Sequence, residues 1–299
     1  AANMAELQTH LAAANANPDT VYEITCQDFT DTGSNTISVQ MNGTLSKPNA
    51  AVIAAATDED DLLANYDEAE LPVFNGGHVT IRSATPYSTQ LGGFTDLVNC
   101  KGLRFFQIDF SKSLAADPSD QSGTENKTNR SLQCRMTSGG TEPEVWLHDV
   151  RFDGSGAANA SRYVTFAEID HAANICLTDS YIDGTYNCGV FRECKYIHRA
   201  RNLIGQERVN DVWSNVISGG GLTGNLDLSA GRVHECVNEI VWPQSASFLA
   251  FWGADGHSDY HQIGAADDPV ADYVYLMLKN YAVNEQCLFT SSTFRDDVN

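Results

Sequence analysis

Asp255, His257, Asp259 and His261 stand at alternate positions of one short segment, Asp255-Gly-His-Ser-Asp-Tyr-His-Gln262. In a β-strand, residues two apart share a face, so these four ionisable groups would line one ridge. Facing inward they would lose several kcal/mol each to desolvation, roughly 2–7 even for neutral unpaired polar groups, so the ridge is expected to face out. The opposite parity then holds only Gly256, Ser258 and Tyr260, a weak inward set, and the alternation is expected to break near Gly256. Three readings fit. Asp259 could orient His257 as a general acid or base for glycosidic cleavage. Imidazole nitrogen and carboxylate oxygen at this spacing could converge on a divalent cation. The residues could also form a hydrogen-bonded polar ladder shaping a turn. Trp252, Asp255, Tyr260, His261 and Gln262 are the candidate ligand contacts here.

A second concentration runs through Glu193, Lys195, His198, Arg199, Arg201, Glu207, Arg208 and Asp211, with Arg232 further on, and gathers cations in an otherwise acidic chain. An acidic polysaccharide needs its uronate carboxylate neutralised before the neighbouring C–H proton can leave, so Lys and Arg beside a base suit β-elimination. The competing reading is a salt-bridged solvated face. Hydrolysis would instead need two carboxylates about 5–9.5 Å apart. Asp211, Asp227, Glu235, Asp255 and Asp259 could supply such a pair from neighbouring coils of a stack. Trp213, Trp242, Trp252 and Tyr260 could stack on sugar rings or pack in a core.

The elements that must position these groups read as strands. Leu103–Phe110, Val145–Phe152, Ile175–Ile182, Val212–Ile217 and Val274–Tyr281 each alternate apolar and polar residues around a small or polar kink. They return at intervals of a few tens of residues, the period of a solenoid or array, while stripes of helical period are nearly absent. The predicted fold is all-β, a parallel β-helix. Residues 1–24 form a cap helix, with Leu7, Leu11 and Ala14 on one face, and a first strand; 25–299 form the coils, with the next coil starting at His78-Val-Thr-Ile-Arg82. An amphipathic helix before the first coil would cover the apolar end of the stack. The acidic run at Asp58–Asp61 reads as a solvated loop, and Ser113–Ser138 as a long loop. No basic and apolar leader precedes the helix, so any secretion signal is expected to be already removed or never present; no capping element follows Cys287–Thr290, so a fragment of a longer polypeptide is expected.

Composition narrows the partners. With 39 acidic and 18 basic residues, net −21, the chain is a poor match for nucleic-acid phosphates. No run approaches the ~18 apolar residues of a membrane span. The eight cysteines include no C-x-x-C pair and fall in strand-like segments, which points to buried thiols, with one or two disulfides as the alternative, and away from zinc.

The chain resembles the right-handed parallel β-helix proteins that include polysaccharide lyases, glycoside hydrolases and phage tailspikes. Ala5–Ala14 followed by Pro18-Asp19-Thr20-Val21 is similar to the cap of alginate-lyase-like members, with Pro-Asp in place of their Gly-Asp. His257-Ser-Asp-Tyr-His-Gln262, then Ala271–Met277, then Glu285-Gln-Cys-Leu-Phe289 resembles an H-S-D-x-x-Q, strand, Q-G-I-F succession, with Cys287 where that pattern has Gly. The resemblance implies a Lys base and an Arg acid, for which Lys195 with Arg199 or Arg201 are the matching types, and a polysaccharide in a lateral groove. It also implies calcium as a candidate groove ligand, a location outside the cell, on its surface or on a virion, and a homotrimer if the chain is a tailspike. A glycan-binding spike or adhesin that does not cut is the alternative.

Overall fold

The structure is a computed structural model, and it describes residues 1–111, 130–153, 165–183, 185–192, 194–205, 207–214, 232–238, 240–241, 259–264, 273–278 and 286–290. Asn3 opens the helix Met4–Asn15: its side chain accepts from Glu6 N at 2.9 Å, and the Glu6 carboxylate accepts from Ala2 N at 2.8 Å. These contacts occupy amide donors that a helix start leaves unpaired. Leu7, Leu11 and Ala14 are buried against the first coil, as the apolar stripe predicts.

Among the described residues two eight-stranded sheets dominate, both entirely parallel. The front sheet runs Tyr22–Cys26, Val79–Ser83, Lys101–Phe106, Glu144–His148, Asn174–Thr178, Tyr196–Ala200, Arg232–Val237 and Tyr273–Leu278. The rear sheet runs Ser34–Ile37, Phe94–Val98, Arg130–Arg135, Thr165–Asp170, Thr185–Arg192, Glu207–Ser214, Asp259–Gly264 and Gln286–Thr290. Short strands Arg151–Asp153, Tyr181–Asp183, Leu203–Ile204 and Ile240–Val241 form a third sheet between front and rear passes. The chain therefore visits the same sheets in the same order and adds one strand to each, a solenoid-like stack of mostly β structure. Where backbones of adjacent coils touch, glycine is required: a Cβ on Gly93 would run into the Gly33 carbonyl.

Four of the five rungs read from the sequence, beginning at Leu103, Val145, Ile175 and Val274, fall in the front sheet. Val212 belongs instead to the rear strand Glu207–Ser214. The front strands Tyr196–Ala200 and Arg232–Val237 escape the alternation pattern, because His198, Arg199 and Glu235 put polar residues at buried positions. Two loop assignments also change. Asp58 accepts from Asp61 N at 2.9 Å and caps the helix Glu59–Asn65, so the acidic run starts a helix. Arg130–Arg135, inside the predicted loop 113–138, is a rear strand.

The core is a continuous cluster of inward side chains. One row stacks Ile81, Phe105, Leu147 and Leu177 coil on coil, and phenylalanines 105, 110, 152 and 166 meet edge-on or tilted. Cys26, Cys100, Cys134, Cys176, Cys188 and Cys194 are all buried free thiols, as the sequence indicated. Burial raises the Cys26 thiol to about 11 and the Cys100 thiol to about 12, which keeps both protonated and unreactive.

Residues 44–75 leave the stack as a strap. Antiparallel pairing of Thr44–Leu45 with Phe74–Asn75 closes its base, and the helices Ala50–Ala55 and Glu59–Asn65 form its body. The buried Asn49 side chain binds both the N–H and the carbonyl of Asp67 and ties the two limbs together.

Candidate functional site

Parallel register turns the outer face of the front sheet into straight rows, one side chain per coil, about 4.8 Å apart. One row is Arg82, Phe106, His148, Thr178 and Ala200; the next is Thr80, Arg104, Trp146, Cys176, His198 and Glu235. A third row begins where each strand turns. Tyr87, Gln107, Asp149, Asp179, Arg201 and Asn238 all take positive φ between 52° and 61°, a left-handed conformation that costs an L-residue about 1–2 kcal/mol. Coil stacking offsets it, because each of the first five donates its N–H to a carbonyl of the next coil, for example Asp149 N to Thr178 O at 2.9 Å.

The strap divides this face. It covers the upper part, where Leu45 and Phe74 pack on Trp146 and Cys176, and Asn174 donates to the Leu45 and Ser46 carbonyls. Arg82, Arg104, Phe106 and His148 remain partly exposed below it. There the Arg104 guanidinium lies over the rings of Phe106, at 4.7 Å, and Trp146, at 4.3 Å, while Trp146 stacks on His148 at 4.5 Å. Arg104 Nη2 contacts His148 Nδ1, yet Nε is buried without a hydrogen-bond partner, and no carboxylate among the described residues forms an ion pair with this guanidinium. Burial holds its pKa below the usual guanidinium range, though no protein environment brings an arginine near deprotonation at neutral pH.

His148 sits between this cation and an acid, with Nε2 3.5 Å from Asp179 Oδ2. Burial first, and then Arg104, push its pKa down to about 4, so the imidazole is neutral at pH 7. Asp179 is held by two Arg201 bonds of 2.7 and 2.8 Å. Asp149 accepts from Gln107 at 2.8 Å and from the Tyr87 hydroxyl, and burial together with that carboxylate raises the Tyr87 pKa. The arrangement offers a charged donor with an unmet N–H, aromatic faces and a neutral base along one edge.

The residues singled out from the sequence are not brought together. Lys195 pairs with Glu142 at 2.8 Å, both 27% exposed, away from these rows. Arg199 follows Leu177 in an inward row, is 0% exposed, and reaches Cys188 Sγ at 3.9 Å, so it belongs to the core. Arg201 alone of these three lies beside the outer rows. Asp259, Tyr260, His261 and Gln262 are in the rear sheet, where Val209 pairs with Asp259 and Asp211 with His261; Asp259 and His261 share one parity. Arg208 is also on a rear strand, whereas Arg232 starts a front one. Trp252, Asp255 and His257 lie outside the described residues. Three rear-sheet cations are paired: Glu168 contacts Arg130 and Arg192, and Asp96 holds Arg135 at 2.8 and 3.0 Å.

Arg104, Trp146 and His148 went unnoticed as a site because they are 42 to 44 residues apart or interleaved with core residues. The recurring signal was nevertheless present: His148-Asp149, Thr178-Asp179 and Val237-Asn238 each put an Asx residue directly after the last outward position of a front strand. Among the described residues no group of three or more His, Cys, Asp or Glu is placed to hold a metal ion, and no helix is long and apolar enough to cross a membrane. No protein-family model matches the chain, and neither a curated protein nor a solved structure does.

Proposed function

We propose that the outer face of the front sheet binds an acidic polysaccharide lengthwise and cleaves it by β-elimination. Arg104 carries this reading: a guanidinium fixed between two aromatic rings, with a buried N–H unmet, is shaped to receive a ligand carboxylate. Phe106 supplies a partly exposed apolar surface for a sugar ring, and Arg82, paired with Glu23 at 3.3 Å, lies one coil away in the Phe106 row. The uronate carboxylate takes over the Arg104 Nη2–H that otherwise points at His148 Nδ1, and the C5 proton passes to the freed Nδ1 lone pair of the neutral imidazole. The C5 electron pair forms the C4–C5 double bond, the C4–O4 bond breaks, and the departing oxygen takes a proton from water. The rows repeat at about 4.8 Å, close to the length of one sugar unit, so successive units could meet successive coils. We further propose that the coils close into a β-helix of right hand, the hand that parallel crossovers almost always take, and that the protein meets its polymer outside the cell or on a virion.

The test is incubation with oligogalacturonate and neutral glucan, following ultraviolet absorbance of unsaturated uronates together with new reducing ends. Both signals should rise with the acidic polymer only, and His148→Ala should lower the rate by about 10²–10⁴-fold, the usual contribution of a general base. Binding without either signal would make the chain a glycan-holding module. Loss of neither binding nor cleavage in Arg104→Met would overturn the site.

A further inference from the structure

The row that holds Arg104 does not stop where the strap covers it. Above Trp146 and Cys176 it continues into His198, 2% exposed, and Glu235, 0% exposed. Such groups are ordinarily on protein surfaces or fully hydrogen-bonded. Here neither ring nitrogen of His198 has a hydrogen-bond partner, and Nδ1 lies 3.6 Å from Glu235 Oε2. The carboxylate itself is occupied by phenols: Tyr196 hydroxyl meets Oε1, and Tyr66 hydroxyl, from the strap, meets Oε2. Tyr196 also contacts the strap's Pro48 carbonyl, and Lys47 Nζ lies 5.6 Å from the Tyr196 ring centre. The strap thus reaches an acid–base cluster of this row, and it does so with a hydroxyl. Further out, Asn238 holds the strap's Glu68 at 3.2 Å.

We propose that Tyr196, His198 and Glu235 are a second, strap-covered hydroxyl-binding site of the same groove, with the Tyr66 hydroxyl standing where a hydroxyl of the glycan binds. This rests on the reading of the Arg104 face given above. When the strap lifts, Glu235 loses its Tyr66 donor and accepts instead from a sugar hydroxyl, and the His198 nitrogens, which have no hydrogen-bond partner in the covered state, acquire one. Four coil steps separate Arg104 from Glu235, about 19 Å, so with one unit per coil only a chain of five or more sugar units spans both sites. The covered protein therefore treats short and long oligomers alike, and the uncovered one prefers long ones.

The experiment measures binding of tri- and octagalacturonate to the intact chain, to Tyr66→Ala and to Tyr66→Phe, with hydrogen–deuterium exchange of 44–75 recorded on each. In Tyr66→Ala strap amides should exchange at least tenfold faster, octamer affinity should rise about tenfold, and trimer affinity should stay unchanged. Adding Glu235→Gln or His198→Ala should cancel the octamer gain. Tyr66→Phe keeps the ring in place and removes only the hydroxyl, so it gives a smaller gain of about threefold and covers the case in which the alanine variant does not fold. A faster-exchanging strap with no octamer gain would overturn this second site while trimer binding leaves the Arg104 reading intact. Failure of the trimer to bind any form would instead sink the Arg104 reading on which it depends.

Discussion

His148 makes a prediction that requires no substrate. In the folded chain its pKa is held down to about 4 by burial and by Arg104, with Asp179 opposing, whereas an unfolded histidine titrates near 6.5. A group whose folded pKa is depressed in this direction binds its proton more readily when unfolded. Its contribution is therefore fully present above about pH 6.5 and is lost as pH falls toward 4, below which the penalty is constant. Taken whole, the gap corresponds to about 3 kcal/mol. Water at the exposed edge of the site screens part of it, so about 1–2 kcal/mol is the expected loss. The assay is urea unfolding at pH 7.5, 5.5 and 4.0 for the native chain and for His148→Gln, which keeps a polar side chain of similar length without the titration. Between pH 7.5 and 4.0 the native chain should lose about 1–2 kcal/mol more than the variant. Parallel curves, or a His148 that titrates at 6.5 or above by NMR, would refute both the depressed pKa and the neutral base built on it.

Two further outcomes separate a salt-bridged cation from a buried one and test the strap. Lys195→Ala breaks a half-exposed pair and should cost less than about 1 kcal/mol, while Arg199→Ala empties a core position and should cost about 2–5 kcal/mol; chemical denaturation reads both, and equal costs would contradict the inward placement of Arg199. Trp146→Ala removes the ring that joins Leu45, Phe74 and Cys176 and loses the bond from Nε1 to Thr178 at 3.0 Å. It should cost about 3–5 kcal/mol and speed proteolysis within 44–75, and a strap that stays protected would show that Trp146 does not anchor it.

Much of the fold was legible because a strand's period of two is local. Leu7, Leu11 and Ala14 gave the cap, and Val145-Trp-Leu-His and Ile175-Cys-Leu-Thr gave rungs, because each segment carries its own apolar alternation. Where buried polar residues interrupt that alternation, as at His198, Arg199 and Glu235, the rung was missed, since their burial depends on neighbours far away in sequence.

The sequence by itself determined that the chain is acidic, built of strands, capped by a helix, and furnished with buried thiols, because charge, period and capping act within a few residues. Which groups meet was decided only by tertiary structure. Parallel stacking brings adjacent coils together, so Arg104 reaches His148 across 44 residues, and the strap folding back over the stack lets Tyr66 reach Glu235 across 169. The same stacking sends Arg199 into the core while Arg201, two residues on and of the same parity, stays at the edge, because a left-handed turn at Arg201 breaks the alternation there, a turn that no local composition specifies.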